Sequence, residues 1–203
     1  MRRISLKSHE LSEDLNVSNT LIQCVRILSN SADQKRSIDE ILQIICEFYQ
    51  AQRCYVLDLD MDNKKTNGIY EYGKQYDDIH VENMVRLCLE HMDLVNQFFE
   101  NQKSYYIDDV TNEISVTSPI YSSFIQQKIH SIIVVPFMDD KQINGVFAVD
   151  NPKQNYYQKD FLESLCFFIK TAMAREKEKA KLKNLSYVDS LTYAKIEIIS
   201  MNI

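Results

Sequence analysis

Apolar residues recur at helical spacing in the first 50 residues, and this pattern predicts two amphipathic helices. The second helix is predicted to begin at Ser37, because Ser37-Ile-Asp-Glu40 has the form of a capping box. In that motif the serine oxygen accepts from a first-turn amide, and the glutamate reaches back to the serine N–H. The two apolar faces consist of Val17, Leu21, Cys24, Val25 and Leu28, and of Ile38, Ile41, Leu42, Ile45 and Tyr49.

The pattern then changes to alternation, which is typical of strands. Residues 55–60 predict a half-buried strand that pairs, after a polar turn, with a strand ending near residue 72. Two β-rich runs at 131–137 and 142–149 flank a short polar turn and predict a second hairpin. Pro136 is expected at a bulge or a strand end, because proline has no N–H to donate to a sheet.

Three more helices and a short strand complete the pattern. Apolar residues from 81 to 101 predict one long helix, and a short strand is expected at 105–107. Ser118-Pro119 predicts the start of another helix that ends near His130, since proline at the first helical position loses no needed hydrogen bond. The last helix follows Pro152 and carries an apolar face formed by Phe161, Leu162, Leu165, Phe168, Ile169, Ala172 and Met173.

A charged segment, residues 174–183, extends the last helix beyond this apolar face. It consists of good helix formers and is predicted to be either a solvated overhang or one strand of a dimeric coiled coil. Arg175 and Lys179 interrupt the heptad pattern, whose apolar members are Leu165, Phe168, Ala172, Leu182 and Leu185. The order of all elements predicts an α+β fold with a central antiparallel sheet and helices on its faces.

The amino-acid composition limits the classes of protein and partner that fit this chain. The 203 residues are 45% hydrophobic and 26% charged, which is typical of one globular domain with helical extensions. A net charge of −6 disfavours nucleic acid and anionic membrane as partners, and 3 glycines leave little material for a phosphate-binding loop. The chain shows neither a secretory signal nor a membrane span, so a cytoplasmic location is expected.

The cysteines and histidines predict no metal site. Five scattered cysteines without a C-x-x-C pair favour buried free thiols in a reducing compartment over a zinc site or a disulfide framework. Four scattered histidines have no ligand spacing. No cofactor is predicted, although an unknown small-molecule ligand remains open.

Residues from about 16 to 177 resemble a GAF domain, a cytoplasmic sensor module. The resemblance implies a central antiparallel sheet flanked by helices on both faces, with long N- and C-terminal helices. The segments that carry it are Ser37-Ile-Asp-Glu-Ile-Leu42, Arg53-Cys-Tyr-Val-Leu57, Ile133-Val-Val-Pro-Phe137, Gly145-Val-Phe-Ala-Val149 and Tyr157-Gln-Lys-Asp-Phe-Leu-Glu-Ser-Leu165.

A second resemblance follows in Leu182-Lys-Asn-Leu185-Ser-Tyr-Val-Asp189-Ser-Leu191-Thr192, which looks like the start of a GGDEF domain, the catalytic domain of bacterial diguanylate cyclases. The family's Gly-Leu, Asn-Arg and GG[DE]EF motifs do not follow. We therefore expect a truncated relative whose full-length parent converts GTP to cyclic di-GMP, while this chain is not an enzyme. The expected division is an N-terminal extension (1–15), a GAF-like domain (16–177), a signalling helix with the GGDEF start (178–192) and an unassigned tail (193–203).

The GAF resemblance places a ligand pocket between one sheet face and the helices over 81–101 and 119–129. Aromatic residues at these spacings also occur as plain core, and that alternative stays open. Cys88 and His91 are three residues apart and suggest either a tetrapyrrole attachment or a buried thiol beside a surface histidine. Asn63-Lys64 begins the signature of cyclic-nucleotide-binding GAF domains, but the signature does not continue. The predicted pocket residues are Tyr55, Cys88, His91, Tyr105, Tyr121, Phe124 and Phe137.

Three functions are compatible with the sequence. The first is a sensory GAF domain that forms a homodimer and controls a C-terminal diguanylate cyclase domain through its last helix. The second is a ligand-free GAF dimerization module, and the third is a cysteine-dependent reductase of free methionine sulfoxide. Under the first hypothesis, the signal-transmitting residues are Leu165, Phe168, Ala172, Leu182, Leu185 and Asp189.

Overall fold

The computed structural model describes residues 2–30, 33–73, 81–99, 104–139 and 142–200, with the backbone alone described for 2–12, 92, 94, 97, 98, 139, 159 and 184–200. Helices and strands follow in the order α1 (Arg2–Asn30), α2 (Gln34–Phe48), β1 (Arg53–Asp60), β2 (Lys65–Gly73), α3 (Glu82–Glu90), α4 (Met92–Phe99), β3 (Tyr105–Ile107), α5 (Val110–Glu113), α6 (Pro119–Gln126), β4 (Ile132–Asp139), β5 (Gln142–Asp150) and α7 (Lys159–Ser200). Both predicted hairpins and the short strand at 105–107 are confirmed.

The strands form one five-stranded sheet in the order β2-β1-β5-β4-β3, with every neighbouring pair antiparallel. Helices cover both faces, so the predicted α+β class is confirmed. Side chains alternate along each strand and divide the core into two halves. One half packs against α1, α2 and α7, and the other packs against α3, α4 and α6.

The expectation of a half-buried β1 is wrong, because this strand lies inside the sheet with helices above and below it. Cys54 and Val56 lie on one face of β1 and pack in the half of the core under α1, α2 and α7, called the α2–α7 core below. Asp58 lies on the same face of the strand. The Asp58 side chain is 10% exposed and forms an ion pair with Lys177 of α7 at 2.7 Å. The alternation that suggested a solvent-exposed face therefore marks a mostly buried carboxylate that is paired with a lysine at the surface.

Helix α2 begins earlier than the capping box predicts. Its N-cap is Asp33, whose Oδ1 accepts from the backbone N–H of Arg36 at 3.2 Å. Ser37 lies inside the helix, is 2% exposed, and donates from Oγ to the Asp33 carbonyl at 3.0 Å. Asp33 is also a preferred N-cap residue type, and with this start the buried Ser37 lies one turn inside the helix.

The helix predicted over 81–101 consists of two helices. Backbone angles of φ −122° and ψ 41° at His91 separate α3 from α4. Residues 100 and 101 lie outside the described residues. The predicted start of α6 is confirmed, with Ser118 Oγ accepting from the N–H of Ile120 at 3.2 Å. This helix ends at Gln126 and not near His130, since Lys128 adopts a positive φ of 56°.

Pro136 lies within β4, opposite Val146, and the register shift falls one residue later, between Phe137 and Met138. Within the described residues, β3 pairs with β4 only from Ile132 to Val134. The proline therefore lies where the outer edge of β4 has no described partner strand, and it interrupts no hydrogen bond to β3.

The predicted boundaries near residues 15 and 177 fall inside the continuous helices α1 and α7, and the boundary near 192 also falls inside α7. The division into segments stays a prediction. Among the described residues, no helix combines the length and the hydrophobicity that a membrane crossing requires.

Candidate functional site

An apolar cavity of about 50 Å³ lies between the sheet and helices α3, α4 and α6. Strands β1, β4 and β5 form its floor, and the three helices form its roof. Every lining residue but one is an apolar side chain, and the exception, Tyr55, is 1% exposed. The lining consists of Tyr55, Met84, Leu87, Cys88, Val95, Phe99, Ile120, Phe124, Ile132, Val134, Val146 and Ala148.

A polar cluster of Arg53, Gln127 and Asp150 does not line this cavity but lies next to residues that do, and each of the three is at most 3% exposed. Arg53 and Asp150 are cross-strand partners at the ends of β1 and β5. Arg53 Nε donates to Asp150 Oδ2 at 2.8 Å, and Nη2 contacts the same oxygen at 2.5 Å. Nη2 also donates to Gln127 Oε1 at 3.1 Å. The cluster therefore ties two central strands to the end of α6.

Tyr55 connects the cluster to the cavity. Its ring centroid lies 5.1 Å from the guanidinium carbon of Arg53, within the range of a cation–π contact. Three further lining residues are neighbours of the cluster. Ile132 is the cross-strand partner of Asp150, and Ala148 precedes Asp150 by two residues on the same face of β5. Phe124 precedes Gln127 by three residues at the end of α6.

Burial governs the electrostatics of the cluster. Loss of solvation raises the pKa of Asp150 to about 6, although the Arg53 charge and its hydrogen bond, together with the Tyr55 hydroxyl, act in the opposite direction. Burial also raises the pKa of the Tyr55 hydroxyl well above its usual value. Tyr55 is therefore a neutral hydroxyl at physiological pH, next to a carboxyl that is not far from its titration range.

The structure brings some of the predicted pocket residues together and separates others. Tyr55, Cys88 and Phe124 line the cavity. Tyr105 and Tyr121 pack beside the same core half, with Tyr105 in edge contact with Phe99 at 5.5 Å, but neither lines the cavity.

Two predicted pocket residues lie away from the cavity. Phe137 is buried in the α2–α7 core on the other face of the sheet, because its position in β4 directs it there. His91 lies at the end of α3, beside a polar surface depression that also includes Arg86 and Gln126. Cys88 and His91 therefore do not share the cavity.

Sequence reasoning missed all three residues of the polar cluster. Opposite charges at the ends of two apolar strands, Arg53 and Asp150, were a signal that two strand ends form an ion pair. Gln127 carried no comparable signal, because its burial depends on how α6 ends against the sheet.

All five cysteines are buried and free. Burial raises the pKa of the Cys88 thiol to about 12, so this residue of the cavity wall is a neutral thiol. Cys46 and Cys54 lie in the opposite core half, where a hydrogen bond with Cys54 lowers the pKa of Cys46. No group of three or more histidine, cysteine or acidic residues that would suit a metal ion occurs within the part of the chain that is described.

The predicted signal-transmitting residues differ in their surroundings. Leu165 is fully buried against the sheet, Ala172 is half-buried, and Phe168 is 37% exposed. Leu182 is 61% exposed on the charged segment. The side chains of Leu185 and Asp189 lie outside the described residues. Phe168 therefore does not belong to the buried face on which the sequence places it.

Comparison with known proteins relates this chain to a family of domains. The sequence model of the GAF domain family matches residues 31–174. A search of curated proteins found no significant match.

Solved structures share the fold at low sequence identity. The GAF domain of an Acinetobacter phosphoenolpyruvate-protein phosphotransferase is 16% identical, covers 81% of this chain and 97% of its own, and superimposes with a TM-score of 0.57. Free methionine-R-sulfoxide reductase from Neisseria meningitidis, in complex with its substrate, is 13% identical, with coverages of 80% and 91% and a TM-score of 0.54. The chromophore-binding domain of a bacteriophytochrome from R. palustris is 11% identical, with coverages of 79% and 62% and a TM-score of 0.58.

Proposed function

The chain belongs to the GAF domain family, and from this membership we propose that it is a sensory and regulatory module that binds a small molecule in the apolar cavity. The observation that carries the proposal is the apolar cavity, whose lining residues Tyr55, Ile132 and Ala148 lie next to a buried polar cluster. This combination is typical of ligand sites, where apolar walls supply affinity and a few polar groups fix orientation.

Ligand binding requires the cavity to enlarge. Its volume of about 50 Å³ is smaller than the roughly 300–1,000 Å³ of ordinary ligand pockets. The roof is the part that can move, because α3 and α4 are short helices separated by the non-helical His91. The floor is a continuous sheet held by backbone hydrogen bonds.

Binding on this face can reach α7 through the sheet. Tyr55 faces the cavity, while its neighbours Cys54 and Val56 face the α2–α7 core. Further along β1, Asp58 holds Lys177 of α7 at 2.7 Å. A shift of β1 therefore changes the position of α7 on the opposite side of the molecule.

The proposed output of α7 is a diguanylate cyclase domain joined at its C-terminal end, with the chain acting as a homodimer. The support is the resemblance of residues 182–192 to the start of a GGDEF domain. Exposed apolar side chains on the two long helices supply a surface for a second copy: Leu15, Ile22, Phe167, Phe168 and Leu182. Light scattering that shows a monomer at high protein concentration would contradict the dimer.

Thermal denaturation of the full chain against a panel of small amphipathic metabolites, cyclic nucleotides and tetrapyrroles tests the sensor. A ligand at 100 times its Kd stabilises the folded state by about 2.7 kcal/mol. For any compound that raises the Tm, hydrogen exchange is expected to slow in α3 and α6 and to change in residues 162–183.

A matched pair of variants controls this experiment. Ala148→Ile fills the cavity and is expected to abolish the ligand-induced Tm shift, whereas Ala174→Ile adds the same atoms on the exposed face of α7 and is expected to leave it intact. A Tm shift that survives Ala148→Ile would place the ligand elsewhere and contradict the proposal.

The small cavity also favours a second candidate, a GAF module that dimerizes without a ligand. That candidate expects no Tm shift with any compound and a dimer by light scattering. The reductase alternative has less support, because the Cys88 thiol is neutral and the Cys46–Cys54 pair lies on the face away from the cavity. Turnover of free methionine sulfoxide by the purified chain is its direct test.

A further inference from the structure

Three buried atoms of the polar cluster have no hydrogen-bond partner among the described residues: Arg53 Nη1, Gln127 Nε2 and Asp150 Oδ1. Arg53 Nη1 lies 3.5 Å from Glu71 Oε1 and so has an ion-pair contact, which leaves the Gln127 and Asp150 atoms open. Both side chains are 1% exposed, so bulk solvent does not compensate them. An unpaired buried polar atom destabilises the folded state, so two open atoms in one cluster point to a group that binds there.

The bonding pattern explains why these two atoms are open. Arg53 directs both Nε and Nη2 to Asp150 Oδ2. The Tyr55 hydroxyl also acts on the Asp150 carboxyl, but Oδ1 has no partner within hydrogen-bond distance among the described residues. Arg53 uses Gln127 Oε1 as an acceptor, which leaves the Gln127 amide nitrogen open. Arg53 therefore holds one donor and one acceptor in place beside the cavity. The end of α6 fixes the other side, because the backbone N–H of Gln127 donates to the Ser123 carbonyl at 3.2 Å.

We propose that Gln127 and Asp150, positioned by Arg53, form a polar subsite for the neutral hydroxyl group of a small amphipathic ligand whose apolar part lies against Ile132 and Ala148. The ligand class is a small alcohol or phenol. This inference rests on the proposed function, because it names the chemistry of the ligand in the same cavity.

The open donor and the open acceptor together select a neutral hydroxyl. Asp150 and Glu71, which lies 3.5 Å from Arg53 Nη1, repel a carboxylate or phosphate, and an ammonium group has no acceptor for Gln127 Nε2. A hydroxyl oxygen accepts from Gln127 Nε2 while its proton is donated to Asp150 Oδ1, so one group satisfies both atoms. Water competes for the same atoms in the free protein, and a ligand gains by adding apolar contacts that water lacks.

Phenol and toluene are matched probes, since they share a ring and differ in a hydroxyl or a methyl group. We expect the methyl resonances of Ile132 and Ala148, followed by NMR in the full chain, to shift saturably with phenol. The Kd for phenol is expected to be about tenfold lower than that for toluene, although toluene is the more hydrophobic probe.

The variant Gln127→Leu removes the open donor and is expected to bring the two Kd values within about threefold of each other. The same substitution at the exposed neighbour, Gln126→Leu, is the control and is expected to keep the preference for phenol. If Gln127→Leu does not fold, Gln127→Glu replaces it, because this side chain keeps an acceptor for Arg53 and lacks the amide donor.

The outcomes separate the two proposals. Equal Kd values for phenol and toluene in the parent chain, or a preference for phenol that persists in the Gln127 variants, would overturn the subsite and leave the ligand cavity standing. No shift with either probe up to its solubility would overturn both the subsite and the cavity as a site for a ligand of this size.

Discussion

Asp150 is a carboxyl for which burial outweighs an ion pair. It is 1% exposed and contacts Arg53 directly, yet its pKa is raised to about 6 because desolvation is the larger effect. Removing one partner of such a pair leaves an uncompensated charge, whereas the intact pair contributes little net stability. The main role of the pair is therefore to fix how β1, β5 and α6 pack together. Its contribution to the free energy of unfolding is small.

The raised pKa of Asp150 has a consequence for stability. The folded chain takes up the Asp150 proton at a higher pH than the unfolded chain does, so it binds more protons between about pH 4 and pH 6. The contribution of this carboxyl to the free energy of unfolding therefore falls as the pH rises through that window, by about 2–3 kcal/mol.

The variant Asp150→Asn is expected to remove this slope from the pH dependence of urea unfolding. The exposed Asp62→Asn serves as the control and should keep the parent's slope. A parent and an Asp150→Asn variant with parallel stability curves from pH 4 to pH 6 would refute the expectation.

Gly145 is a residue at which the sheet tolerates no side chain. A Cβ there would lie 2.3 Å from the Leu57 carbonyl oxygen and 2.8 Å from the Phe137 ring. Backbone of a central strand cannot move away without disturbing the pairing of β1 with β5.

We expect Gly145→Ala to lower the free energy of unfolding by about 1–3 kcal/mol, the usual cost of overpacking. Gly68→Ala is the matched control in β2, where a Cβ would first meet the Tyr70 ring at 3.3 Å, and its effect should be smaller. Urea titration of both variants measures the difference. Equal losses for the two would show that the close approach at Gly145 has no special cost.

At the scale of elements, the start of α2 shows how two capping signals compete. Asp33 and Ser37 are both N-cap residue types, four positions apart. The helix begins after Asp33, and Ser37 lies one turn inside it, where its hydroxyl donates to the Asp33 carbonyl. Asp33 is exposed and Ser37 is buried, a difference that sequence spacing alone does not show.

This assignment predicts different effects for two substitutions. Asp33→Ala should lower the free energy of unfolding by about 1 kcal/mol through loss of the cap. Glu40→Ala, which would break the capping box expected from the sequence, should change stability by less than about 0.5 kcal/mol, because Glu40 is exposed. A larger loss of stability for Glu40→Ala than for Asp33→Ala would contradict the Asp33 cap and favour the capping box.

At the scale of the whole molecule, the sheet separates two core halves that differ in what they contain. The half under α3, α4 and α6 holds the cavity, and the other half holds α1, α2 and α7. Beyond the apolar core, the ion pair between Asp58 and Lys177 joins β1 to α7.

Lys177→Met tests this link. It leaves the Asp58 carboxylate mostly buried without its cation, and we expect a loss of about 1 kcal/mol, a value reduced because Lys177 itself is 56% exposed. Hydrogen exchange in residues 174–183 should become faster. Lys179→Met, which removes a 70% exposed lysine, should change neither quantity, and equal exchange in both variants would contradict the link.

Much of the fold could be predicted from the sequence, since period and caps are local. The two hairpins and the start of α6 follow from alternation and from Ser118-Pro119. The break at His91 could not be predicted, because the apolar face runs through it without interruption. The candidate site was predicted in its location but only in part in its residues: Tyr55, Cys88 and Phe124 line the cavity, whereas Phe137 lies on the opposite face.

The sequence by itself determined the α+β class, the antiparallel hairpins and the GAF family, because hydrophobic period, turn residues and motif order are properties of short segments. The tertiary structure alone decided which strand ends meet, which polar residues are buried and how large the cavity is. These depend on contacts between segments far apart in the chain, such as Arg53 with Asp150 and Gln127. The residues that give the cavity its chemical character could be found only after the sheet had brought them together.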